Sequence, residues 1–217
     1  MTRAPLPLSR LVPLPWLAPL SALLLCACGP MVQIGSGKDA RPQVLYTISA
    51  APVAAQTDAA TPAAATPIDT GKAVSVATPT APGALQTLRI PVSISDTEIQ
   101  YVPAASWSEQ PNILFQRLLA NTLAAHGISV IDMRSTGRTA SRRLTGQLQN
   151  FGVDLRQGRE VHLRYDATLS TTTSVHQHRF ERSAQIHQVD GAEITTALNQ
   201  IANAIASDVA AWVQSIS

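Results

Sequence analysis

Hydrophobic and polar positions alternate most cleanly in "REVHLRYDATLST", residues 159–171. Val161, Leu163, Tyr165, Ala167 and Leu169 share one parity; His162, Arg164, Asp166 and Thr168 share the other. A period of two places each set on its own face of a strand, so this is a half-buried β-strand. In residues 143–155, Leu144 and Leu148 share one parity, whereas Phe151, Val153 and Leu155 share the opposite one. A strand that changes parity must accommodate an extra residue. The flip at Asn150 and Phe151, beside Gly152, therefore predicts a bulge. Residues 174–188 read as a third, more polar strand, and the three form an antiparallel meander with one wet face.

Elsewhere the period lengthens. Leu114, Phe115, Leu118, Leu119 and Leu123 recur at helical spacing within 107–127. Ser108 suits the N-cap, Pro111 the first turn and Gly127 the C-terminal stop. Ile194, Leu198, Ile201, Ile205, Val209 and Trp212 form one stripe along 190–216, a long amphipathic helix that must dock on the sheet. Short β-branched or alternating runs at 85–94, 98–103 and 128–133 predict further strands, with Pro91 favouring an edge or a strand end. The pattern predicts an α+β fold. It is a single small domain over 85–217, with a mostly antiparallel or mixed sheet packed by two main amphipathic helices.

The chain before residue 85 reads differently. Residues 44–49, "VLYTIS", suit a short strand, and the pattern leaves open whether it joins the fold. Residues 50–84 are dominated by Ala, Pro and Thr without periodicity, and are expected to be disordered, since such a segment buries too little to offset its ordering entropy. Residues 28–84 together are read as a tether. At the N-terminus, Arg3 and Arg10 precede an uncharged apolar run of 15 residues, 11–25, broken by Pro13, Pro15 and Pro19. As a helix this run would reach only ~22 Å, short of the ~30 Å hydrocarbon core. It reads as a signal peptide over 1–27 rather than a membrane span.

Both cysteines, Cys26 and Cys28, end that run. A bridge between them would be strained and would constrain almost nothing, and no second cluster supplies a zinc site. "Leu25-Cys26-Ala27-Cys28" resembles a bacterial lipobox. The resemblance implies cleavage before Cys28 and acylation of Cys28, with Gly29 after it favouring the outer membrane. Without the leader, Lys and Arg number 14 against 14 Asp and Glu, so no general basic footprint for nucleic acid remains.

Catalytic and metal patterns are sparse. "GSGKD" at 35–39 fails the phosphate-loop spacing. His176 and His178 share a strand face, but no convergent acid or cysteine accompanies them. No nucleophile elbow, zincin or dinucleotide fingerprint occurs. We therefore assign no catalytic residue, cofactor or metal. Two features suit partner contact: the basic loop around Arg134, Arg138, Arg142 and Arg143, and Trp107, which suits either packing or an interface anchor.

Taken in order, these segments resemble the ABC-type transport auxiliary lipoprotein family, the Pqi/Ymb-type lipoproteins of MCE-domain lipid transport systems. The resemblance rests on Tyr46, on "LRIPVSISDTEIQYVPAASWSEQPNILFQRLLANTL" at 88–123, on "LTGQLQNFGVD" and "VHLRYDATLS", and on the final helix. Its most specific block is Trp107-x-Glu109-x-Pro111-x-x-Leu114. The Ala/Pro/Thr insertion and a plain "LYT", where a Tyr-Tyr pair is common, depart from the pattern. The resemblance implies a non-enzymatic, lipid-anchored periplasmic component. It would sit in the inner leaflet of the outer membrane and dock or receive lipid there, with an MCE-domain protein and an ABC permease and ATPase as partners. A homo-oligomer is left open. The alternatives are an outer-membrane assembly or envelope-integrity lipoprotein without a transport role, or a lipid-anchored hydrolase.

Overall fold

The structure, a computed structural model, describes residues 44–51, 72–132 and 140–216. Seven strands form one open sheet: β1 (Val44–Tyr46), β2 (Val74–Val76), β3 (Arg89–Ser93), β4 (Ile99–Trp107), β5 (Arg142–Asp154), β6 (Glu160–Ser170) and β7 (Val175–Gln185). Helix α1 spans Pro111–Ala125 and helix α2 spans Gly191–Ser215. The strand order is β1-β4-β3-β5-β6-β7, with β2 pairing β5 outside that path. This is the α+β architecture that the periodicities predict.

Within the meander β5-β6-β7, the central strand β6 follows the alternation residue by residue. Val161, Leu163, Tyr165, Ala167 and Leu169 are all buried. The register of β5 against β6 shifts between Leu148 and Asn150, which turns Phe151 and Val153 onto the same face as Leu144 and Leu148. Both helices pack on that face: the Phe115 ring meets Tyr165 edge-on at 5.2 Å, and Trp212 meets Phe180 at 5.8 Å. Helix α2 begins as a capped helix should, with the Asp190 carboxylate accepting from the backbone N–H groups of Ala192 and Glu193. Helix α1 ends at Ala125, capped by His126, and Gly127 after it has a φ of 77° that suits the left-handed stop.

Four expectations need correction. Residues 72–84 are part of the fold: Ala73 and Val74 are fully buried, and β2 runs parallel to the start of β5. Thr80 then bridges Gln147, and β3 rejoins the same edge of β5 at Val153. Residues 74–93 thus act as one interrupted strand, with a 3-10 turn at Gly83–Leu85. Its polar composition hid it because burial here is supplied by β5, not by its own pattern. The expected strand 128–133 is only a single bridge, Val130 to Val74; Met133 lies outside the described residues. Strand β4 continues past Pro103 to Trp107, through Ala104 in a left-handed conformation (φ 55°), because β1 pairs with its second half. Helix α1 consequently starts after Gln110 without a side-chain cap, and the Ser108 N–H donates to Tyr46 O (2.7 Å) instead of beginning the helix. The signal peptide over 1–27, Cys28 and residues 52–71 lie outside the described residues.

Candidate functional site

With both helices on one face of the sheet, the other face carries no helix among the described residues. Its side chains follow from the same alternation. His162, Arg164, Asp166 and Thr168 on β6 stand between Gly152, Asn150, Gln147 and Thr145 on β5 and Ser183, Glu181, Arg179 and Gln177 on β7. Over β5-β7 the polar side chains are paired: His162 with Glu181 (2.7 Å), and Asp166 with Arg179 (2.7 Å) and Arg164 (3.5 Å). The Arg179 guanidinium, with Arg164 beside it, holds the Asp166 carboxyl below the usual carboxylate range. Arg156 does the same for Asp154. The Arg164 Nε is buried and has no acceptor. Exposed pairs of this kind contribute only ~0–1 kcal/mol each to stability, so the array chiefly sets the texture of the face.

Over β3 and β4 the same face turns apolar. A cavity of about 120 Å³ opens there, lined by Pro82, Leu85, Pro91, Ile99, Phe151 and Gly152, with Ser93, Asn150 and His162 among its polar lining. Ile99 is 52% exposed. Arg89 lies over the Tyr101 ring at 4.2 Å, a cation–π contact between β3 and β4. An apolar slot with a polar rim is the anatomy of a contact surface.

The residues singled out in the sequence are placed as follows. Trp107 is fully buried, its ring 5.3 Å from Phe151, so it packs in the core and is not available as an anchor for a partner. Arg142 is occupied within the fold: Nη2 donates to Lys72 O (2.6 Å), and Nη1 to Val213 O and Ile216 O, both at 3.3 Å. It clamps the end of α2 to the start of β2. Arg143 is exposed and lines a second, open cavity of about 520 Å³ with Ser75, Thr78, Gln116 and Asp132. Arg134 and Arg138 lie outside the described residues. His178 packs against Phe180 and Trp212, while His176 bonds Ser174 Oγ at 2.9 Å. Among the described residues no three His, Cys, Asp or Glu side chains gather at a metal-binding distance, and no helix is long and apolar enough to cross a membrane.

One set of residues escaped sequence reading. Asn199 and Asn203, four residues apart on α2, reach the N-terminal segment. Ser49 N donates to Asn199 Oδ1 (3.0 Å), Ala51 N to Asn203 Oδ1 (2.6 Å), and Asn203 Nδ2 to Ser49 O (2.9 Å). The only signal was an i, i+4 amide pair beside the apolar stripe, which in isolation reads as a solvated flank.

Comparison with known proteins bears on this architecture. A search of curated proteins finds no match. Among solved structures, a Xanthomonas campestris protein of family DUF330 superposes with a TM-score of 0.58 at 17% identity, covering 64% of this chain and 82% of that one. The crystal structure of an uncharacterized protein superposes at 0.54 with 16% identity, covering 67% and 90%. At these identities the likeness is one of fold. The PelC dodecamer from Paraburkholderia phytofirmans aligns at 0.40 with 14% identity, over 68% of this chain and 90% of that one. The profile of the ABC-type transport auxiliary lipoprotein component matches residues 46–210, from β1 to the last turns of α2. That span is well over half of the 217 residues, and the chain belongs to the ABC-type transport auxiliary lipoprotein family.

Proposed function

We propose that this protein is the envelope-anchored docking component of an ABC transport system that moves lipid, with an MCE-domain protein as its direct partner. Membership of the family carries the coarser part: an auxiliary, non-catalytic role beside a transporter, at a membrane or in the envelope. The observation that supports docking is the helix-free sheet face, half paired charge and half apolar slot around Ile99. The lipobox resemblance supports Cys28 as the acylated residue and the inner leaflet of the outer membrane as the address. Two acyl chains already give stable anchoring. Arg143, and Arg138 beyond the described residues, add cationic groups suited to carboxylates or phosphates.

The test is co-purification of the full-length protein from membranes. Wild type retains the transporter components, and mass spectrometry finds Cys28 acylated. Ile99→Asp, at an exposed position, leaves the melting temperature unchanged and reduces retention by at least tenfold. Recovery of Ile99→Asp with the same partners as wild type refutes the docking face. Absence of any transporter component from the wild-type preparation refutes the transport assignment and leaves the envelope-integrity role.

A further inference from the structure

The N-terminal segment 44–51 is held in a way that does not depend on being part of the same chain. Strand β1 pairs in parallel with the edge of β4, Val44 against Ala105 through Tyr46 against Trp107. Beyond it, Asn199 and Asn203 bind the main chain of Ser49 and Ala51, with Asn203 both accepting from Ala51 N and donating to Ser49 O. An amide that offers a donor and an acceptor together mimics a neighbouring strand, so the chain is read through its backbone. Side-chain recognition is confined to Tyr46 and Ile48, which pack against the core, whereas Val44 and Leu45 are 46% and 61% exposed. The Tyr46 seat is built by Gly191. A β-carbon there would lie 2.8 Å from the Ala105 Cβ and 3.1 Å from the Tyr46 ring.

The segment is connected to the rest of the fold by a long link. Residues 52–71 number 20. Ala51 sits at the level of Asn203, and Lys72 is tied through Arg142 to Val213 and Ile216. At 1.5 Å per helical residue the two ends are separated along α2 by ~15–20 Å. Twenty residues have a fully extended reach of ~65–70 Å, more than this separation requires and enough to reach the groove of a neighbouring copy.

We propose that the groove formed by the β1-facing edge of β4, Gly191, Asn199 and Asn203 is a strand-acceptor site, and that its second occupant is the 44–51 segment of another copy of this chain. Exchange conserves each of these contacts, so the two arrangements differ mainly in the entropy of association. The chain's own strand competes at an effective concentration of roughly millimolar. Exchange is therefore a minor event in dilute solution and becomes substantial where copies are crowded.

The experiment uses the full-length chain in detergent. Tyr46→Asp leaves the groove open but spoils the donor strand; Gly191→Val fills the seat but leaves the strand free. Size-exclusion chromatography with light scattering finds each variant monomeric alone and a one-to-one complex on mixing. Adding Asn203→Ala to the Tyr46→Asp chain weakens that complex at least tenfold. A fluorescent peptide, VLYTISAA, binds the Tyr46→Asp chain and not the Gly191→Val chain. Two folded variants that neither associate on mixing nor bind the peptide overturn the proposal. If circular dichroism shows that either variant has failed to fold, isotopically heavy and light wild type are mixed at high concentration. Mixed dimers in native mass spectra then support exchange, and their absence overturns it.

Discussion

Removing the Arg142 guanidinium should loosen the domain, whereas removing that of its exposed neighbour in sequence, Arg143, should not. The side chain donates to Lys72 O at 2.6 Å and to Val213 O and Ile216 O at 3.3 Å. A hydrogen bond from a charged donor is worth ~1.5–3 kcal/mol net. The short bond falls in the middle of that range. The two long ones, beyond the usual 2.9–3.0 Å, contribute about 1 kcal/mol each. A cation at the C-terminus of α2 adds ~0.5 kcal/mol. Against this, the buried Nε has no acceptor, and truncation relieves ~1 kcal/mol of desolvation and restores ~1 kcal/mol of side-chain entropy. The balance is a loss of about 2–3 kcal/mol for Arg142→Ala. For a chain of this size each kcal/mol lowers Tm by roughly 2–4 °C, so the drop is ~5–10 °C. Arg142→Lys keeps the charge but not the fork, and should fall between. Arg143→Ala should stay within ~0.5 kcal/mol of wild type. Thermal melts by circular dichroism and urea midpoints with unchanged m-values make the comparison. Arg142→Ala and Arg143→Ala melting together would refute the clamp.

Two further outcomes follow from the same contacts. Trp107→Ala should cost ~3–5 kcal/mol by opening a cavity in the core, whereas Trp107→Phe should lose less than ~1.5 kcal/mol, since it also removes an indole N–H with no acceptor; urea titration separates the two, and equal losses would refute a packing role. Asp166, Asp154 and Glu193 are held below their ordinary carboxylate values by Arg179, by Arg156 and by the His187 and Gln188 backbone N–H groups respectively. Their contribution is complete above the unfolded-state carboxylate pKa of ~4 and is lost as pH falls through the lower folded values. Stability should accordingly be level from neutral pH to about 5 and decline below 4, with a shallower decline in Asp166→Asn; an unchanged slope in that variant would count against the Arg179 pairing.

What the sequence made legible was whatever a strand or helix encodes in its own periodicity. The alternation of β6, the parity flip before Phe151 and the apolar stripe of α2 all describe one element meeting one core, and the structure follows them. Strand β2 was not legible: "VSV" among prolines and threonines is buried only because β5 offers it an edge 68 residues later. The extension of β4 to Trp107 depends in the same way on pairing with Tyr46. The apolar slot depends on elements brought together from 82 to 162. Arg142 looked like part of a solvated basic loop because its acceptors lie 70 to 74 residues away in either direction. Function at the level of family came from the order of segments, and no single residue announced it.

The parallel pairing of the early strands has a consequence for the order in which this chain can fold. The bonds from Ser49 and Ala51 to α2 span 150 and 152 residues, and β2 and β3 gain their β5 partner only after α1 has been made. A chain emerging N-terminus first exposes Val74, Ile90 and Val92 long before anything can cover them. Loops of this length close slowly, and such contacts place a protein among the slow folders. Nascent chains stalled before residue 190 should expose these strands to chaperones and proteases, since the groove for 44–51 does not exist until the final helix has formed.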